Sequence, residues 1–151
     1  MSARIWFNTR VLCCEESPLL AASLVAAKAR VSFAPLAGPV DGAWRLRTGD
    51  WANPDYPFAL VEGHEVVLLR WPAGPHPAEA VRWWLTAFLH LAESSRRSRV
   101  RALGLQIPDQ ADPLLLHSGR FLQVYFQQLS CPVYVCQDNL LAEVEAGFAR
   151  A

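Results

Sequence analysis

The stretch Val11-Leu12-Cys13-Cys14-Glu15-Glu16-Ser17-Pro18-Leu19-Leu20 decides the fold class. An apolar run ends in two acids, and a pattern of helical spacing begins at Pro18. Ser17 can accept a hydrogen bond from an orphan amide of a first helical turn, and Pro18 fills a first-turn position that needs no donor. The same unit recurs twice. Ala102 to Ile107 leads through Asp109-Gln110 to Asp112-Pro113, and Val133 to Cys136 leads into Gln137-Asp138-Asn139. Strand, polar turn and capped helix in repetition build α/β folds. The expectation is a single α/β domain over residues 1–151, a three-layer sandwich with a mixed, mainly parallel sheet and helices on both faces.

Outward from these units, residues 4–14 read as extended, with a break near Asn8-Thr9, and 18–29 as a helix with Leu20, Leu24 and Ala27 on one face. Val31 to Leu36 reads as a short strand. Trp44-Arg45-Leu46-Arg47-Thr48 alternates apolar and basic residues, as a half-buried strand does. Phe58 to Val61 and Val66 to Leu69 flank Glu62-Gly63-His64-Glu65, which predicts a hairpin and with it an antiparallel element. Between Pro77 and Ser95, Val81, Trp84, Leu85, Phe88, Leu91 and Ala92 recur at helical spacing. A strand over 101–107, a helix over 113–129, a strand over 133–136 and a helix over 140–149 complete the pattern.

Composition narrows the function classes. The chain is 52% hydrophobic and 19% charged, less charged than the roughly one quarter of an average soluble domain. That bias points to a buried sheet or a partner interface. Fourteen basic residues balance fourteen acidic ones, so net charge gives no long-range attraction to nucleic acid or to an anionic membrane. No stretch approaches the roughly 18 apolar residues of a membrane span, and the start has no secretory pattern. The expected location is the cytoplasm. Four cysteines in such a setting read as reduced thiols, with Cys13 and Cys14 on opposite sides of a strand.

In open α/β sheets ligands bind outside the carboxyl ends of the parallel strands. Those ends would carry Glu15, Glu16, Asp109, Gln110, Asp112, Asp138 and Asn139, which makes them the candidate ligand-binding set. Carboxylates gathered there could hold a hard cation or divide into an acid and a base, although the same residues also serve to cap helices. None of the three turns contains glycine, which a close phosphate cradle requires. His64, His76, His90 and His117 contain no i, i+4 pair, and no Gly-x-Ser-x-Gly elbow surrounds Ser17 or Ser118. No metal, cofactor or catalytic set is therefore assigned. Arg96, Arg97, Arg99 and Arg101 cluster where the strongest helix turns into its strand, as the negative end of a helix dipole favours.

From Val66 onward, the apolar strand Val66 to Pro72, the strand Ala102 to Pro108 and the strand Val133 to Cys136, each with its helix, resemble the second half of a macro domain. That resemblance implies a three-layer α/β fold. Macro domains hold ADP-ribose with an Asn-rich and a Gly-rich loop; Asp109-Gln110-Ala111-Asp112 stands at the place of the glycines, so the ligand does not carry over. The acidic-pair strand Val11 to Ser17 is similar to the opening strand of a receiver domain. In that comparison His64 to Pro72 takes the place of the phosphoacceptor strand, with Arg70 at the aspartate's position. A receiver so altered could not be phosphorylated there.

These readings lead to a non-catalytic α/β module that works through a protein partner or its own second copy. Trp44, Trp51, Tyr56 and Trp83 are the candidate interface residues. The alternative is a domain that binds a small molecule, a nucleotide or an ADP-ribose-like ligand, or an enzyme, with an acidic site at the carboxyl edge of the sheet.

Overall fold

A computed structural model of the chain describes residues 3–14, 18–33, 39–40, 43–44, 56–70, 78–107, 131–137 and 139–150, together with Pro113, His117 and Val124. In chain order its elements are α1 (Ala3–Trp6), β1 (Arg10–Cys13), α2 (Pro18–Ala26), β2 (Arg30–Phe33), β3 (Pro39–Val40) and β4 (Ala43–Trp44). They continue with α3 (Tyr56–Val61), β5 (Val66–Arg70), α4 (Ala78–Arg97), β6 (Ala102–Gln106), β7 (Val133–Cys136) and α5 (Leu140–Arg150). Pro113, His117 and Val124 are also helical.

Five strands form one sheet in the order β2-β1-β5-β6-β7, every pair parallel. Apolar runs such as Val66 to Leu69 and Ala102 to Leu105 suit strands that are buried on both faces. Alternation divides them between two cores. On one face Leu12, Cys14, Val67, Leu69, Leu103, Leu105 and Val133 pack with Phe88, Leu91 and Ala92 of α4 and Val61 of α3. On the other, Val11, Cys13, Val66, Leu68, Ala102 and Tyr134 meet Trp6, Leu24, Leu140 and Val144. Each fully buried Leu or Val contributes on the order of 1.5–3 kcal/mol. The α/β class with a mainly parallel sheet and helices on both faces is thus the observed fold, and Cys13 and Cys14 do face opposite ways.

The local reading is corrected at two places. Residues 3–6 form α1 instead of the start of an extended segment. Phe58 to Val61 belongs to α3, so the expected hairpin is a helix-to-strand turn, and the antiparallel pairing lies in the separate β3–β4 ladder. Residues 34–36 and 45–48, expected as strand, lie outside the described residues, as does most of 113–129.

Four helix-to-strand turns share one device. Asn8, Lys28, Gly63 and Arg99 have φ of 58°, 67°, 82° and 62°, the left-handed conformation that closes a helix end. Behind Lys28, the Lys28 amide donates to the Val25 carbonyl and that of Ala29 to Leu24, both at 2.9 Å, which is a Schellman closure. The Val100 amide reaches Ser95 in the same way at 3.0 Å.

Close packing of α5 against the sheet depends on two glycines. A β-carbon on Gly104 would come within 2.7 Å of Leu140 Cδ1, and one on Gly147 within 2.0 Å of Tyr134 Cε1. Substituting Gly147→Ala is expected to destabilise the fold. Overpacking costs about 1–3 kcal/mol, more than the roughly 1 kcal/mol gained in helix propensity. Urea denaturation measures the difference, and removing the ring with Tyr134→Ala should make the second substitution nearly neutral.

Candidate functional site

Because β1, β6 and β7 run parallel, the segments that follow them leave from one edge of the sheet. Register keeps the strands nearly level there: Cys13 pairs with Leu68, Leu68 with Gly104 and Gly104 with Tyr134. The chain runs from β1 outward to β2, then returns to build β5, β6 and β7 on the other side. The switch point, where open α/β sheets hold ligands, falls between β1 and β5.

Glu15, Glu16, Asp109, Gln110, Asp112 and Asp138 lie outside the described residues. Asn139 is described, and its role is a cap. Its Oδ1 accepts the Ala142 amide at 3.1 Å and its carbonyl accepts that of Glu143 at 3.1 Å. Of the interface candidates, Trp51 is outside the described residues; Trp44 lies in β4, Tyr56 in α3 and Trp83 in α4, their side chains also outside the described set. His90 and His117 are exposed, while Nδ1 of half-buried His64 is enclosed and unpartnered. Among the described residues no group of three or more His, Cys, Asp or Glu side chains could hold a metal ion.

Cys13, Cys14 and Cys131 are free and buried. Burial pushes the Cys13 thiol up to about 11 and that of Cys131 up to about 12, the latter opposed in part by Arg96. Burial, with Cys13 beside it, raises Cys14 further. A nucleophilic or metal-ligating cysteine needs its thiolate, and burial holds these three thiols in the protonated form at neutral pH.

The opposite edge holds an open cleft of about 530 Å³ lined by Ile5, Phe7, Asn8, Thr9, Glu65 and Arg101. The carboxylate of Glu65 lies 3.6 Å from the Arg101 guanidinium and accepts the Arg10 amide at 3.0 Å. Arg101 also stacks over Phe148 with 5.2 Å to the ring centroid, and the Thr9 hydroxyl donates to the Ile5 carbonyl. Its Glu65, Arg101 and Thr9 side chains thus each have a partner within the fold. Arg96 and Arg97 are exposed in the last turn of α4, with Arg99 just beyond it, where the helix dipole favours positive charge.

The feature that sequence reading missed is the outer side of α2. This helix buries Leu24 as expected, yet Leu19 is 82% and Val25 59% exposed, and Ala22 and Ala26 are exposed beside them. The available signal was composition: Ser23 is the single polar side chain between Pro18 and Ala27. Its hydroxyl is turned back onto the Leu19 carbonyl at 2.9 Å. Next to it, β2 is exposed at Arg30, Ser32 and Phe33.

No family model matches the chain, and no curated protein does. Among solved structures it is similar in fold to the GDP-mannoheptose C4 reductase of Campylobacter jejuni, solved with NADP bound. The TM-score is 0.52 and the identity 12%, over 85% of this chain and 50% of the reductase. The chain thus spans about half the length of that protein, and the likeness supports an α/β, Rossmann-like fold.

Two measurements follow. Replacing Asn139 by Ala removes the α5 cap and should cost about 1 kcal/mol in urea denaturation, while Asn139→Asp keeps the acceptor and the stability. For the thiols, burial raises the native values above the ordinary 9.0. The native state then holds protons that the unfolded chain releases, so stability is full below about pH 9 and declines as pH rises towards the native values. The urea midpoint should fall between pH 9 and 11, and less steeply in Cys13→Ala than in the parent chain.

Proposed function

We propose that the chain is a non-catalytic α/β module that works by binding protein. The observation that carries this reading is α2, which offers a water-facing surface of Leu19, Ala22, Val25 and Ala26 whose one hydroxyl is internally bonded. Exposing such side chains costs solvation free energy that a partner would recover at about 25 cal/mol per Å². Among the described residues, burial raises the Cys13 and Cys131 thiols and Glu65 pairs with Arg101. Trp44, Trp51, Tyr56 and Trp83 remain part of the proposal as aromatic anchors of the binding surface.

A second reading is nucleotide binding, favoured by the switch point between β1 and β5 and by the reductase neighbour with NADP. Against it stands the turn Cys14-Glu15-Glu16-Ser17-Pro18, which has no glycine for close approach and two carboxylates that repel a pyrophosphate. The test is a titration of the full chain with NADPH, followed by intrinsic tryptophan fluorescence and calorimetry. No binding tighter than about 1 mM is expected. A micromolar Kd would overturn the protein-binding reading in favour of the nucleotide one.

A further inference from the structure

We propose that the amino edge of the sheet binds an acidic, extended segment of a partner protein, with an apolar side chain of that segment in the cleft beside Phe7. The proposal rests on the protein-binding reading and names the chemistry of a partner, on a surface separate from α2. Four charged residues stand level along this edge, one at the opening of each of four neighbouring strands. Arg30 and Arg10 are register partners. The Glu65 amide donates to the Arg10 carbonyl at 2.8 Å and the Arg101 amide to the Glu65 carbonyl at 2.7 Å, which carries the row on to the start of β6. With strands about 4.8 Å apart, the row Arg30, Arg10, Glu65, Arg101 crosses about 14 Å.

Two residues before each member of the row the chain is left-handed, at Lys28, Asn8, Gly63 and Arg99. Asn8 and Gly63 suit that conformation, whereas Lys28 and Arg99 place two further cations where glycine would bear no strain. Both follow a helix, α2 or α4, whose carbonyl end attracts positive charge. That attraction does not account for Arg10 and Arg30, which open strands side by side where like charges repel. Among the described residues no carboxylate pairs with Arg10, Lys28, Arg30 or Arg99, while Glu93 lies against Arg96 and Glu65 against Arg101. The four turns themselves hold one acid, Glu62. The Arg101 guanidinium has several N–H donors, and Glu65, at 3.6 Å, takes no more than part of them. The edge thus presents positive charge that the fold leaves unneutralised, and an acidic partner complements it.

The cleft narrows the kind of partner. It is open, about 530 Å³, and lies against Glu65 and Arg101 with Phe7 on its wall, 69% exposed. An apolar side chain seated there removes the Phe7 ring from water. Two features favour a peptide over a nucleic acid strand. Glu65 stands within the row, where a strand with a phosphate on every nucleotide would meet it, whereas a peptide can set an uncharged residue opposite. Phe7 is the one aromatic residue lining the cleft, and single-stranded nucleic acid is held by successive bases stacked on several rings. An extended peptide rises about 3.4 Å per residue, so about five residues span the row, with acidic side chains towards Arg10 and Arg30 at one end and Arg101 at the other.

Fluorescence anisotropy of a fluorescein-labelled peptide, one phenylalanine between two pairs of aspartates, titrated with the full chain in about 50 mM salt, tests this. Saturable binding is expected, with Kd on the order of 100 µM, weakened about threefold at about 300 mM salt. Arg10→Gln with Arg30→Gln should weaken it about fivefold and Phe7→Ala about threefold. Arg70→Gln, at the opposite end of β5, should leave it unchanged. These side chains are exposed, and an unchanged thermal midpoint shows that the variants fold. In amide NMR spectra the peptide should shift Asn8, Arg10 and Arg101 and leave Val25 of α2 in place. A chain that shows no saturable binding up to about 1 mM, or binding that Arg70→Gln weakens as much as the double substitution, overturns the proposal. A thymidine oligonucleotide of equal charge that binds more tightly than the peptide makes this edge a nucleic-acid surface and overturns it as well. A chain that binds neither the peptide nor NADPH overturns the acidic partner alone and leaves the protein-binding reading in place.

Discussion

Glu65 holds the amino edge of the sheet level. Its amide donates to the Arg10 carbonyl at 2.8 Å, and its own carbonyl accepts the Arg101 amide at 2.7 Å. Its carboxylate takes the Arg10 amide at 3.0 Å and lies 3.6 Å from the Arg101 guanidinium. The ion pair is part exposed and adds roughly 0–1 kcal/mol, so the fixed backbone bonds are the larger constraint. With Arg10, Glu65 and Arg101 at one height, Val11, Val66 and Ala102 enter the same core together. A slip of one residue in any strand would exchange its two faces and put the wrong side chains beneath α4 and α5.

Much of this architecture was legible because it is local. β1 is followed by α2, and β7 by α5 with its Asn139 cap, within a few residues in each case. Where tertiary contact decides, the sequence was ambiguous. Phe58 to Val61 is too short for periodicity to separate strand from helix. It forms α3 against α4, with the Arg97 guanidinium 4.8 Å from the centroid of Phe58, and Gly63 ends that helix instead of turning a hairpin. Lys28 and Arg99 occupy left-handed positions without being Gly or Asn, so their helix ends carried no sequence mark. Asn139 illustrates the limit for the site: a side chain at the carboxyl edge reads equally as ligand or cap until its hydrogen bond is seen.

Charge is distributed with the same polarity as the backbone. Arg10, Lys28, Arg30, Arg96, Arg97, Arg99 and Arg101 are exposed at or near the amino edge, where α2 and α4 present their carbonyl ends. The acids Glu15, Glu16, Asp109, Asp112 and Asp138 follow β1, β6 and β7 in sequence. A chain with zero formal charge can in this way carry a directional field, which bears on the orientation of an approaching partner more than on affinity. Arg10 and Arg30 sit side by side in register, a small repulsion that water screens because both are exposed.

In doubly wound sheets that bind dinucleotides, the turn after the first strand supplies glycines and the next helix offers its amide end to phosphate. Here two carboxylates occupy that turn and Pro18 removes one of the amides. A phosphate would meet both repulsion and a missing donor. The helix that follows differs in kind as well, since its outer side is apolar where a solvated helix would carry charge. Both departures fall on one connection, from β1 to β2, and leave the rest of the sheet intact. What a nucleotide-binding sheet gives to phosphate at this place, the present chain gives to apolar side chains, next to the exposed Arg30, Ser32 and Phe33 of β2.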